Sequence, residues 1–360
     1  MPKFQFWLPT NLTRVQQRAV DSIEPIFLSG VPGTGKTVVS IKRLQIAAAK
    51  RKKAIIFTYG KLLKKTIEEK LENNKSMPVD NIHNWMWNAQ DNGQKEYLSH
   101  LTSAKKLEST IQMLKSAGKN YDEILVDEGQ DISLNTYKIL KALAPNLSIS
   151  ADNAQQINNK EEAASEEEIL ELFSNISKYE LDEIFRSAYE IYRFAIQFVP
   201  YNARANNPTL LERLKIKNSG ADKPCVYIEK SLNDTYVTMK DIIDENPTDN
   251  IGILYETVLN VDECASNLSK EYELSTYHSI QKVVPSELKN IIVTTFKSAK
   301  GIEFDIVIIP YFDDGKKLAE EYYVGVTRAK SQVHFIAINK LPGIIATFDK
   351  STYTLIDNRG

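Results

Sequence analysis

The sequence predicts an α/β protein of two domains, each a parallel sheet covered by helices. Three observations predict it. The chain has 360 residues, enough for two domains of ordinary size, and its 42% apolar residues suffice for real cores. Short β-branched or apolar runs alternate with segments of helical spacing, the pattern of strands joined by crossover helices. The same style fills both halves, without an internal repeat at a fixed period.

In chain order, "EPIFLSG", "KAIIFTY", "EILVDE" and "NLSIS" read as strands of the first half. Segments such as "VVSIKRLQIAAAK" and "LLKKTIEEKL" separate them and place apolar residues at helical intervals. The stretch "KEEAASEEEILELF" has six Glu between positions 161 and 171 and reads as an exposed helix face or an acidic loop. With "KYELDEIF" it marks the expected join, giving domains 1–180 and 181–360. The second half offers "CVYIE", "NIGILYET", "IIVTTF", "DIVIIP" and "QVHFIAIN" as strands.

Composition narrows the function classes. Lys and Arg total 45 against 47 Asp and Glu, a net charge of -2, so any nucleic-acid site must be a local groove rather than a bulk property. Cys225 and Cys264 lie far apart with no CxxC pair, which argues against a disulfide framework or a thiolate zinc site and fits a reducing cytoplasm. The four histidines are scattered. Asp313, Asp314, Glu320 and Glu321 form an acidic patch without metal-ligand spacing. No apolar stretch approaches the roughly 20 residues of a membrane helix, and "MPKFQFWLPTNLT" lacks both a basic start and a long apolar run. A soluble cytoplasmic protein without a membrane partner is expected.

"LSGVPGTGKTVVS" fits GxxxxGK[ST], between an expected strand and an expected helix. Gly30, Gly33, Thr34, Gly35, Lys36 and Thr37 are the candidate nucleotide-binding residues. Gly33 and Gly35 let backbone N–H groups curl around phosphate oxygens, and the helix N-terminus adds positive potential. Lys36 reaches the β and γ phosphates, and the Thr37 hydroxyl ligates magnesium. ATP and Mg²⁺ are therefore the expected cofactors.

"YDEILVDEGQDIS" runs from an apolar strand straight into Asp127 and Glu128. By itself this is either a polar strand end or a catalytic pair. Hydrolysis at a phosphate loop needs an acid on a neighbouring strand to hold magnesium and a group beside it to activate water. Asp127 is the expected metal ligand, and Glu128 the expected base.

With these residues in view, the chain resembles superfamily 1 helicases of the UvrD/Rep/PcrA type. "LTRVQQRAV" looks like the family's adenine-recognition motif, and "DEGQD" is close to DEAQD or DEFQD. "ADNAQQI" resembles GDxxQxI, with Asp152 and Gln155 retained and Ala151 for the initial Gly. "LDEIFRSAYEI" is similar to LxxNYRSxxxI, "TTFKSAKGIEFDIVII" to TxHxAKGLEFxxVxx, and "YYVGVTRAK" to YVALTRAK.

The resemblance implies tandem RecA-like domains with the ATP site in the cleft between them. It implies that Gln16 reads the adenine edge, Phe185 stacks on adenine and Glu303 bonds the ribose. Gln155 would sense the γ phosphate, and Arg186 and Arg328 would be cationic fingers from the second domain. A guanidinium, with its fixed fork of donors, suits charge neutralisation at phosphoryl transfer. ATP would draw the domains together and hydrolysis would release them.

The family's strand-binding motifs fall on Thr58, Tyr59, His83, Thr295 and Lys297. Trp85 and Trp87 flank His83 and supply either stacking surface or core, and Lys61, Lys64 and Lys65 either touch phosphates or form a solvated face. Two departures from the family pattern follow. After the GDxxQxI-like motif the family carries stacking aromatics, whereas this chain continues "NNKEEAASEEE", with neither aromatics nor net positive charge. The spacing between motifs also leaves no room for the family's accessory subdomains.

The leading expectation is an ATP-driven, single-stranded DNA translocase or helicase, 3′ to 5′ by resemblance. A nucleotide-dependent switch subunit controlling a protein partner such as a nuclease, in repair or antiphage defence, is the alternative. The motifs do not distinguish DNA from RNA.

Overall fold

The computed structural model describes residues 3–5, 8–9, 11–90, 92–99, 103–151, 163–199, 208–217, 219–281, 283–310 and 319–360. They form two compact units, Leu8–Asp182 and a second that joins Met1–Trp7 to Glu183–Gly360.

The first unit contains strands β1 (Ile26–Gly30), β2 (Ala54–Thr58), β3 (Val79–Asn81), β4 (Glu123–Val126), β5 (Asn146–Ala151) and β6 (Ser177–Leu181). Its helices are α1 (Arg14–Asp21), α2 (Lys36–Ala49), α3 (Lys61–Lys70), α4 (Ile82–Asn88), α5 (Asn92–Ser99), α6 (Ser103–Ser116), α7 (Leu134–Leu143) and α8 (Glu166–Leu172). The sheet order is β3-β2-β4-β5-β1-β6, with every pairing parallel. Helices cover such a sheet on both faces, so its strands read as apolar runs rather than as alternation. Phe27, Phe57, Ile124, Val126, Leu140 and Ile149 make its core, each side chain contributing roughly 1.5–3 kcal/mol by leaving water.

The sheet order decides where chemistry can occur. β5 lies between β1 and β4, and Ile149 on it is level with Phe27 on one side and Val126 on the other. The carboxyl ends of β1, β4 and β5 therefore lie at the same edge, the one where open α/β sheets bind ligands. A buried ion pair fixes α2 beneath it: Arg43 Nη2 meets Glu123 Oε1 at 2.7 Å, and Nη1 donates to the carbonyls of Ala19 and Ser22. Within the acidic stretch Glu166–Leu172 form α8, where Ser165 and Glu168 form a capping box and Glu166, Glu167 and Glu168 fill the first turn. Negative charge there opposes the positive end of the helix dipole.

The second unit contains β7 (Cys225–Glu229), β8 (Ile251–Tyr255), β9 (Ser275–Tyr277), β10 (Ile291–Thr295), β11 (Phe304–Pro310), β12 (Ala329–Ile338) and β13 (Thr354–Asp357). Helices α9 (Tyr189–Ala195), α10 (Pro208–Lys217), α11 (Leu232–Glu245), α12 (Val258–Leu268), α13 (Ala319–Val326) and α14 (Gly343–Ala346) accompany them. The sheet order is β13-β7-β12-β11-β8-β10-β9, again parallel throughout. Ile253, Val293, Ile306, Ile308 and Ile336 form its centre.

Residues 3–5 pack with this second unit, whereas the sequence reading placed residues 1–180 together. Phe4 N donates to Leu288 O at 3.0 Å, its ring meets Phe304 edge-on, and Gln5 exchanges hydrogen bonds with the Asn250 side chain. These are contacts between distant positions, which no local pattern announces.

Candidate active site

The phosphate loop is held from below by α1. Thr13 caps that helix and Gln16 completes a capping box, its Oε1 accepting from Thr13 N at 2.9 Å. The other end of the Gln16 amide donates from Nε2 to Thr34 O at 2.9 Å. Gln16 is thus buried, with its amide between helix and loop. Gly35 is the N-cap of α2 at φ +86°, a left-handed conformation, and a Cβ there would lie 2.6 Å from Gln16 Nε2. Backbone conformation and the Gln16 contact both demand glycine.

Lys36 opens α2 and donates from Nζ to the carbonyls of Gly30 and Val31, which holds the ammonium over the loop. One residue on, Thr37 Oγ1 donates to Asp127 Oδ2 at 2.6 Å. That contact joins two motifs 90 positions apart. It places two hard oxygens side by side, a donor set that fits magnesium completed by water and phosphate oxygens. Among the described residues no cluster of three or more His, Cys, Asp or Glu side chains is arranged to hold a metal.

Desolvation pushes the Asp127 carboxyl up to about 7, and the Glu128 charge pushes the same way against the Thr37 hydrogen bond and the Lys36 ammonium. Protonation of the folded, metal-free protein is thereby favoured. The resulting stability is present below the ordinary carboxylate range and is lost as pH rises through about 7. In chelator, wild-type stability is expected to fall between pH 5.5 and 8 by up to about 1.4 kcal/mol per pH unit relative to Asp127→Asn, which cannot titrate. Thermal unfolding of both proteins across that range checks it; parallel curves would refute the raised carboxyl.

Glu128 adopts φ +56°, ψ +43°, a left-handed conformation that costs a non-glycine residue about 1–3 kcal/mol and recurs at functional sites. Its carboxylate is buried and accepts from Gln130 Nε2 at 2.6 Å. Gln130 thus orients Glu128. Gly129 stands where the resembled motif has Ala or Phe. A Cβ there would lie 2.5 Å from Tyr137 Oη and 2.9 Å from Ile149 Cγ2, and Tyr137 Oη donates to Gly129 O at 2.7 Å.

Gly129→Ala is therefore expected to cost about 1–3 kcal/mol through overpacking. Adding Tyr137→Phe should recover part of that loss, although Tyr137→Phe alone forfeits a buried hydrogen bond worth about 1 kcal/mol. Urea unfolding of the four proteins gives the cycle, and strict additivity would show that the hydroxyl is not the obstacle. Asp152 and Gln155 lie outside the described residues, as do Asp313 and Asp314.

The second unit gathers a cluster of its own. Arg186 Nη1 donates to Thr327 O at 3.2 Å and Nη2 pairs with Glu303 Oε1. Ser187 Oγ donates to Ala329 O at 2.9 Å, and Ala188 N to Lys330 O at 3.2 Å. Arg328 is almost fully buried and donates from Nε to Val324 O at 3.0 Å. Three segments carrying expected site residues thus meet, and beside them Phe185 is 39% exposed.

The expected strand contacts form two smaller groups at strand ends. Thr58 closes β2, the Tyr59 and His83 rings meet edge-on at 5.3 Å, and Asn81 donates to the carbonyls of Thr58 and Tyr59 while capping α4. Asn81 was missed in the sequence, although an Asn directly before "IHNWMW" is an N-cap signal. At the end of β10, Thr295 Oγ1 donates to Ser298 Oγ at 3.0 Å and Lys297 is exposed.

Residues 16–159 match the family model of an AAA domain. The chain is also 25% identical over 264 residues to a protein named "Probable DNA helicase" from Mycoplasma pneumoniae, covering 65% of this chain. It spans 46% of that relative's length, about half. Among solved structures, the chain is similar to the C-terminal domain of a possible DNA helicase from Lactobacillus plantarum, at 18% identity and TM-score 0.37, over 48% of this chain and 98% of that one. It is also similar to the arterivirus nonstructural protein 10 helicase, at 11% identity and TM-score 0.42, over 90% of this chain and 61% of that one. No helix among the described residues is long and apolar enough to cross a membrane.

Proposed function

We propose that the chain is a UvrD-type motor that hydrolyses ATP to move along single-stranded DNA, 3′ to 5′, in the reducing cytoplasm. The observation that carries the proposal is the Thr37–Asp127 contact beside Lys36, with Glu128 held next to it by Gln130. Thr37 and Asp127 would hold magnesium, which when bound neutralises charge on the phosphate oxygens. Lys36 would meet the β and γ phosphates, and Glu128 would take the proton of the attacking water. Gln155 would sense the γ phosphate.

On this reading Arg186 and Arg328 supply the fixed positive charge that the transition state needs. Phe185 and Glu303 hold adenine and ribose. Gln16, already bonded to Thr34, reports adenine to the phosphate loop. Thr58, Tyr59, His83, Thr295 and Lys297 lie at or just beyond strand ends and serve as strand contacts.

The acidic first turn of α8, following a segment without aromatics, favours a second reading, a nucleotide switch that controls a protein partner such as a nuclease. Steady-state ATP hydrolysis with single-stranded DNA, RNA and duplex separates the readings. The motor reading expects stimulation by single-stranded DNA above the other two. Greater stimulation by RNA would make it an RNA motor, and a rate indifferent to all three would leave the switch.

A further inference from the structure

The first unit contains a cleft of about 730 Å³ among α4, α5, α6 and α7. Its described lining includes Lys95 and Lys106 and not one carboxylate, on a chain whose net charge is -2. Trp87 on α4 forms one wall and is 63% exposed. Lys95 Nζ lies over its ring, 4.2 Å from the centre, which places a positive charge against one aromatic face. Two positions earlier, Trp85 turns inward and packs on Phe57 with ring centres 4.8 Å apart. Gln90 and Asn135 add side-chain amides to the lining. His83 also lines the cleft, linking it to the Tyr59 ring at the end of β2.

Exposing most of a tryptophan forfeits burial energy, and the cleft gives it what a nucleotide recognises: a ring for the base, ammonium groups for phosphate and amides for base edges. We propose that this cleft is a nucleotide-stacking subsite for single-stranded nucleic acid, with Trp87 under one base and Lys95 and Lys106 on the adjoining phosphates. The proposal rests on the strand-dependent reading of function. It also supplies, on α4, the stacking surface missing from the segment after β5. From the cleft, α7 leads directly to the catalytic carboxylates, because Tyr137 on that helix donates to Gly129 O.

The test is equilibrium binding of a dT oligonucleotide and an abasic oligonucleotide of equal length, read by anisotropy at several salt concentrations. Trp87→Ala should weaken the dT oligonucleotide about tenfold, leave the abasic one unchanged, and be largely rescued by Trp87→Phe. Lys95→Ala/Lys106→Ala should weaken both and reduce the slope of log K against log salt by about 1.4, the value for two phosphates of a single strand. Trp87 is exposed, and circular dichroism is the check that its variants fold.

If wild type binds the dT oligonucleotide and Trp87→Ala binds it equally well, the subsite is overturned while the motor reading stands. If wild type binds neither oligonucleotide and no strand stimulates its ATP hydrolysis, both fall. Protection of Trp87 fluorescence from iodide by dTMP as effectively as by the oligonucleotide would mean a free-nucleotide pocket and also overturns the proposal.

Discussion

Glu128→Gln is expected to reduce ATP turnover by about 10²–10⁴-fold, the usual worth of a positioned general base, while MgATP binding survives. The substitution keeps the shape of the side chain and its reach to Gln130 but removes the proton acceptor. Lys36→Ala should abolish hydrolysis by another route, since loss of the ammonium over the loop weakens nucleotide binding itself. The contrast is visible with a fluorescent ATP analogue, whose affinity should drop for Lys36→Ala and hold for Glu128→Gln. Gln130→Ala should fall between wild type and Glu128→Gln in kcat with KM unchanged, because it frees a carboxylate whose left-handed backbone and hydrogen bond now fix its aim.

Arg186→Ala is expected to lower kcat by about 10³-fold or more, the range for an arginine that meets the transferring phosphoryl group. Its present partner is Glu303, so a purely structural pair is the competing explanation. Glu303→Gln decides between them. If Glu303 holds the ribose, its loss raises KM and spares kcat, whereas Arg186→Ala lowers kcat whatever the ATP concentration. Arg186→Lys should rescue little, because an ammonium lacks the planar fork of donors. Equal losses of kcat in Arg186→Ala and Glu303→Gln, with matching losses of stability, would reduce the pair to a structural ion pair.

The meeting of Thr37 with Asp127 was legible because phosphate chemistry constrains local sequence. Glycines at fixed offsets, a lysine and a threonine at a strand–helix junction leave little freedom, and Asp127 followed a strand that had to be parallel to the first. The parallel sheets were legible as apolar runs, since strands buried on both faces have no polar side to alternate. What escaped notice depends on meetings between distant residues. The pairing of Phe4 with Leu288 has no side-chain signature, and neither does the Tyr137 hydroxyl that occupies the space a Cβ on Gly129 would need.

The two tryptophans show the limit most clearly. Two positions apart on a helix, they point about 200° apart, so one had to face inward, and the sequence could not say which. Trp85 became core and Trp87 became surface, because Phe57 on β2 waits on only one side.

The most direct test of the account is the rate of phosphate release from MgATP by wild type and by Lys36→Ala, with and without saturating single-stranded DNA. Wild type is expected to hydrolyse MgATP, at least several-fold faster with the strand, and Lys36→Ala to show nothing above background in either condition. Equal rates for the two proteins would place any hydrolysis outside the phosphate loop and contradict the central claim.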